Sequence, residues 1–242
     1  MIWPSHIFFS LLLSLAAVTN LVAGSLSGRV ELRDSQDIAV RKHMDFSGVV
    51  VWLEPVNGSP APPHAETAAK MIQKDKTFTP HVLPIQVGTS VNFPNFDPIF
   101  HNAFSNYNGQ LFDVGLYPPG TSRHVRFARP GVVRVFCNIH ANMSAVIVVL
   151  NTPYFQATPK KGNFLLDNIP PGEYILRFFH ERATQATLDA LTRRITITNG
   201  SVALPAIDIS ESGYIVIPHH NKYGHDYTDP PDDGGVYPAV RK

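Results

Sequence analysis

The chain has 242 residues, of which 44% are hydrophobic and 16% charged, enough for one or two domains with a substantial core. A formal net charge of +1 excludes a strong electrostatic pull toward nucleic acid or an acidic membrane surface. The 21 prolines and 16 glycines are spread along the chain, the texture of many short strands joined by turns.

Ile7 to Ala17 is an apolar run, followed by small residues at Ala23, Gly24 and Ser25. This reads as a signal peptide over residues 1–24, cut near Ala23 or Gly24. The stretch before the run has no Lys or Arg, so a retained anchor is the alternative, although the run is short for a full span. No membrane span is expected after cleavage, and the mature chain is expected to be periplasmic or otherwise exported.

Strand signals dominate the chain beyond this segment. Gly28 to Arg33 alternates apolar and polar residues, and Ser47 to Leu53 is a nearly continuous β-branched run. Val56 to Ala65 is a Pro-rich loop. Further strands are expected at Met71 to Gln73, Phe78 to Leu83, Thr89 to Phe93, Val125 to Phe127, Val132 to Cys137 and Ala145 to Leu150. Beyond Leu150 come Gly162 to Leu166, a Pro-Pro-Gly turn, and Tyr174 to Arg177. Asn199-Gly200 then predicts a hairpin between Arg194 to Thr198 and Ser201 to Leu204. Only Ala183 to Arg194 carries a helical pattern. From Ser212 the composition is polar, with repeated Pro, Gly, His and Asp, and reads as a disordered tail.

The chain has one cysteine, Cys137. In an exported protein a lone cysteine is an intermolecular partner, an inert buried thiol or a metal ligand. Its neighbourhood is Phe136-Cys137-Asn138-Ile139-His140-Ala141-Asn142-Met143. A thiolate, an imidazole and a thioether come at three-residue spacing, so one tight loop can aim all three into one pocket. A second imidazole would come from His101, just past the turn-rich Asn95-Phe96-Asp97-Pro98. Two His, one Cys and a weak axial Met form the ligand set of a trigonal copper site.

Residues 70–151 resemble the plastocyanin, amicyanin and pseudoazurin cupredoxins. The resemblance lies in Phe78-Thr79-Pro80, Val87 to Phe93, Asn95 with Asp97, His101-Asn102, Gly131, and Cys137 to Met143 with its short, amicyanin-like spacing. It implies His101, Cys137 and His140 as equatorial copper ligands and Met143 as the axial one, with Asn102 bracing the cysteine loop. Gly162 to Arg177 resembles the carboxypeptidase regulatory-like (transthyretin-like) β-sandwich, as do the strands running from Gly28 to Pro55. The fold class is therefore all-β: a cupredoxin Greek-key sandwich plus a second, smaller sandwich. The divisions are residues 1–24 (signal), 25–69 (N-terminal strands and Pro-rich loop), 70–151 (copper domain), 152–211 (second sandwich) and 212–242 (tail). The early strands belong either to the cupredoxin sheet or to a second sandwich into which the cupredoxin is inserted.

The other histidines carry weaker signals. His81 and His124 read as structural or exposed, and His180 as pairing with Glu181 or capping the second sandwich. His219, His220 and His225 read as solvated tail residues that can capture metal loosely. Phe100, Phe104, Tyr107 and Phe112 read as core around the first ligand, with one or two forming an apolar docking rim. No hydrolase or phosphate-binding motif is present. The resemblance implies an exported type 1 copper protein with one copper ion per chain. It would carry single electrons between transient redox partner proteins without being an enzyme. Copper storage, delivery or sensing, or a structural cell-surface role, is the alternative.

Overall fold

A computed structural model of the chain describes residues 23–56, 68–106, 109–215 and 219–227. Most of the proposed signal peptide, the Pro-rich loop, Tyr107 and the end of the tail lie outside the described residues.

The chain is all-β. In order, it contains β1 (Gly24–Arg33), α1 (Ile38–His43), β2 (Val50–Pro55), β3 (Ala68–Lys70), β4 (Ile72–Lys74), β5 (Thr77–Thr79), β6 (Val82–Gln86) and β7 (Ser90–Pro94). Next come β8 (Phe104–Ser105), β9 (Phe112–Asp113), β10 (Ser122–Arg126), β11 (Gly131–Phe136), β12 (Ser144–Leu150) and β13 (Phe155–Ala157). The remainder is β14 (Asn163–Ile169), β15 (Gly172–Phe179), α2 (Gln185–Leu191), β16 (Arg193–Ile197), β17 (Ser201–Ala203) and β18 (Ile207–Ser210).

Two sandwiches pack against each other. In one, a sheet ordered β6-β12-β11-β8-β9 faces a sheet ordered β10-β7-β3. Val91, Phe93, Val133, Val135, Ile147 and Val149 fill the space between them. In the other, β1 pairs with β14, β17 and β18, and faces a sheet ordered β13-β2-β15-β16. Leu26, Val30, Val51, Leu53, Phe164, Leu176 and Ile207 form its core. The early strands β1 and β2 thus hydrogen-bond to the late strands β14 and β15.

Strand alternation explains the continuous apolar runs. Along β12, Ala145, Ile147 and Val149 point into the first core, while Val146, Val148 and Leu150 point the opposite way. On β2, Val51 and Leu53 enter the second core and Val50 faces outward. The outward residues of both strands meet in a third apolar layer that includes Val82 and Trp52. A strand buried on both faces has no polar position to reveal its period.

Gly162 shows how close the packing is. Its φ is +75°, and a Cβ there would collide with the Val30 carbonyl. That carbonyl position is set by Val30 N–H donating to Gly162 O at 2.9 Å. Only glycine combines this backbone conformation with this approach.

Two local expectations need correction. Asn199-Gly200 does not close a hairpin: β16 pairs with β15, and β17 runs parallel to β1. Ile197 is 1% exposed in the second core, so each flanking strand is claimed by a different sheet. Turn chemistry specifies a reversal but not the partner. The second correction is α1, a helix in addition to the α2 that the apolar pattern predicts. Asp37 caps it, its side chain accepting from Ala39 N–H at 2.7 Å, a short-range signal that six residues make easy to miss.

Candidate metal centre

The ligand loop is the connection between β11 and β12, whose last ladder pair is Phe136 with Ser144. Val133, Val135 and Cys137 share the inward face of one strand, and Met143, Ala145 and Ile147 that of the other. Period-2 alternation therefore carries both sulfur side chains into the core. Cys137 N–H donates to Met143 O at 3.0 Å, and Met143 N–H donates to His140 O at 3.1 Å. These bonds tie the loop shut and fold His140 back over Cys137.

His101 arrives from the opposite side. A two-way backbone bridge with Tyr117 (3.2 and 2.9 Å) holds it. The Tyr117 hydroxyl is buried and donates to Phe93 O at 2.9 Å. The result is a compact triad. Cys137 Sγ lies 3.8 Å from His101 Nδ1 and 3.6 Å from His140 Nδ1. All three ligand atoms lie within 4.8 Å of one another. With metal–nitrogen bonds of ~2.0 Å and metal–sulfur bonds of ~2.3 Å, trigonal or tetrahedral angles put sulfur and nitrogen ~3.5–3.7 Å apart. The donor set therefore fits a single ion. Met143 is fully buried in the same core as Cys137. His101 and Cys137 are also fully buried, whereas His140 is partly exposed.

The far side of the His101 ring is fixed by Asp97, whose Oδ2 lies 2.6 Å from Nε2. Asn95 builds the turn that delivers this carboxylate, accepting from Asp97 N–H at 3.0 Å and donating to Ile99 O at 2.8 Å. Asp97 in turn accepts from the backbone N–H groups of Asp75 (2.6 Å) and Lys76 (2.9 Å). These two residues form the β4–β5 turn, both at positive φ (54° and 55°). Neither is glycine, so the turn holds a sparsely populated conformation that aims two amides at one carboxylate. A carboxylate so held fixes the ring's tautomer, leaving Nδ1 as the free lone pair facing sulfur.

The electrostatics suit a buried cation. Burial pushes the Asp97 carboxyl up, but the Lys76 amide, His101 and the Asp75 amide outweigh it and hold the group below the usual range. Burial lowers the His101 pKa against the pull of Asp97. Burial, with the nearby charges of His101 and Lys76, lowers that of His140 to about 4. Both imidazoles are thus neutral, with lone pairs ready to bind. Burial raises the Cys137 thiol, opposed by the backbone amides of Ile139, Asn102 and His140, which face the sulfur. Those amides are positioned to stabilise the thiolate that forms when a metal displaces the proton.

All four sequence-predicted ligands thus come from one region: three form the triad, and Met143 closes the loop beneath it. The Asn102 amide faces the sulfur, but its side chain donates to Asp113 Oδ1 at 2.7 Å instead of reaching the loop. Phe104 is buried against Phe136, and half-buried Phe112 packs on Phe93 and edge-on to Phe127. The exposed apolar residues in this half are instead Phe96, Leu111 and Leu116. His81 bridges Glu181 (2.8 Å) and Ser144 O (3.1 Å), linking the two sandwiches. His180 pairs with Glu211 at 2.8 Å, not with Glu181. His124 is exposed on β10. Sequence reading missed the support given by Asp75 and Lys76, which nothing in a Lys-Asp-Lys-Thr stretch announces.

No family model matches the chain, and no curated protein matches it. Solved structures similar to parts of it include a purple cupredoxin from Nitrosopumilus maritimus, at 28% identity and a TM-score of 0.31, covering 34% of this chain and 99% of that one. A copper-containing nitrite reductase from Thermus scotoductus is 26% identical with a TM-score of 0.34, over 40% of this chain and 25% of the reductase. An oxidised amicyanin variant is 18% identical with a TM-score of 0.33, over 36% of this chain and 87% of that one.

Proposed function

We propose that this protein is an exported, cupredoxin-like copper protein that carries single electrons. His101, Cys137 and His140 hold one copper ion, and Met143 supplies a weak fourth ligand. The observation that carries this reading is the triad itself, with Cys137 Sγ at 3.8 and 3.6 Å from the two Nδ1 atoms. Thiolate with two imidazoles and a buried thioether is a donor set that favours copper over harder cations. Copper bound there would cycle between its two oxidation states, the thiolate suiting the reduced and the imidazoles the oxidised form.

The residues of this chain supply the rest. Asp97 and the Tyr117 bridge hold His101, and the closed loop holds Cys137 against Met143. Burial of three of the four ligands keeps water and larger reactants away. His140 is the one ligand with an exposed edge, so it is the natural point of electron entry and exit. Redox partners would dock there through a small, transient contact. A carrier rather than an enzyme is favoured because, among the described residues, this is the one cluster of such ligands. Export is supported by the N-terminal apolar run.

The test is an absorption and EPR spectrum of the mature protein with one equivalent of Cu(II). An intense thiolate-to-copper band in the visible, lost in Cys137→Ser, is expected. Stoichiometric Cu(II) binding without that band would refute the reading.

A further inference from the structure

Residues 219–227 lie against the ligand loop although they are some eighty positions further along the chain. The His219 ring stacks on Phe136, the residue before the cysteine, with centroids 4.1 Å apart. The same ring faces the backbone of Ala141, inside the loop. Tyr227 donates its hydroxyl to Cys137 O at 2.9 Å. Lys222 N–H donates to Asn138 Oδ1 at 2.9 Å. Lys222 Nζ reaches Asp113 Oδ2 at 2.8 Å, while the other oxygen of Asp113 accepts from Asn102. The segment therefore grips both sides of the centre: the loop that carries Cys137 and His140, and the Asn102–Asp113 pair beside His101.

Its own shape is built to do so. Asn221 accepts at Oδ1 from the amides of Tyr223 (2.9 Å) and His225 (3.1 Å). Its backbone accepts from Gly224 N–H at 3.0 Å and donates to His225 O at 2.9 Å. His220 closes the same turn on Asp226 at 2.9 Å, and the Tyr227 hydroxyl also meets His219 Nδ1 at 3.1 Å. A polar segment that orders without a core of its own must be held by such bonds.

We infer that residues 219–227 form a positioning strap for the metal-ligand loop, with Lys222 and Tyr227 as its positioning residues. Cys137 O and Asn138 belong to the loop whose amides face the sulfur, so restraining them restrains the field at the thiolate. The part of this inference that concerns copper rests on the proposed function; the restraint of the loop does not.

The experiment uses the full chain with Lys222→Pro and Tyr227→Phe combined, which removes the amide that binds Asn138, the ammonium that binds Asp113 and the hydroxyl that binds Cys137 O. In copper-free protein, amides of residues 138–143 are expected to exchange hydrogen about fivefold faster, while those of β1 and β15 are unchanged. In copper-loaded protein, loss of copper to a chelator is expected to accelerate about tenfold, with a shifted reduction potential. Lys222→Arg, with Tyr227 intact, keeps the Asp113 bridge and is expected to behave as wild type. Unchanged exchange at 138–143, or acceleration spread equally over both sandwiches, overturns the strap. If the wild-type chain binds no copper, the proposed function fails, and the exchange measurement still decides the strap.

Discussion

Asp97 ties His101, one of the candidate metal ligands, to the rest of the fold. Asp97 Oδ2 sits 2.6 Å from one ring nitrogen of His101, and the other ring nitrogen faces Cys137 Sγ at 3.8 Å. The carboxylate itself hangs on two backbone amides of the β4–β5 turn. Turn, carboxylate, imidazole and thiol are thus one chain of contacts in which each group orients the next.

Asp97→Asn keeps the size of the side chain and removes the charge that holds the ring. Copper affinity is expected to fall about tenfold, the lower end for loss of an outer-shell partner. Competition with a chelator of known affinity measures it. An affinity within twofold of wild type would show that the Tyr117 bridge alone orients His101.

Met143→Leu separates ligand from core residue. The swap nearly conserves volume, so stability is expected to change by less than ~1.5 kcal/mol. If Met143 is the axial ligand, copper is retained and the reduction potential rises, because Cu(II) loses more than Cu(I) when a donor is removed. Voltammetry of the two proteins decides; equal potentials would assign Met143 to packing alone.

Glu211 makes the second sandwich sensitive to acid. It is 3% exposed at the side chain and meets His180, Arg182 and Ser35. Burial raises its pKa, but these three partners prevail and hold it at about 2, below the ordinary 4.5. The fold therefore stabilises the ionised form. That contribution is complete above pH ~4.5 and is lost as pH falls toward ~2, on the order of 3 kcal/mol in all. Denaturant melts across this range should show the loss in wild type. A Glu211→Gln protein should be less stable near neutrality and flatter over the same window; a parallel slope would refute the assignment.

Gly162→Ala tests the closeness of β1 and the turn before β14. The new Cβ meets the Val30 carbonyl in a conformation alanine disfavours, so destabilisation well above the ~1 kcal/mol of an ordinary glycine replacement is expected. Thermal unfolding measures it, and a Tm close to wild type would contradict the packing described.

Some of this protein could be read directly from the order of its residues. The Cys137, His140, Met143 spacing and the apolar alternation around it place sulfur ligands inward by strand period alone, a local rule. The turn-rich Asn95-Phe96-Asp97-Pro98 ahead of His101 shows as a turn, although the use of Asp97 to hold the imidazole does not. The all-β character comes from runs that need no partner to be recognised.

Other features exist only because the chain folds back on itself. Which strands β16 and β17 join was decided by competition between two sheets, not by the Asn199-Gly200 turn between them. That Val146, Val148 and Leu150 are buried depends on a second sandwich covering the outer face of β12. The strained Asp75-Lys76 turn acquires its use only when Asp97, more than twenty residues away, comes within reach of its amides. Residues 219–227 have a composition that specifies no core, and their place against Cys137 is fixed by single hydrogen bonds to groups some eighty to a hundred positions earlier. Such bonds leave no periodic trace in a sequence, because any polar residue of suitable reach can make them once the backbone has been brought into place.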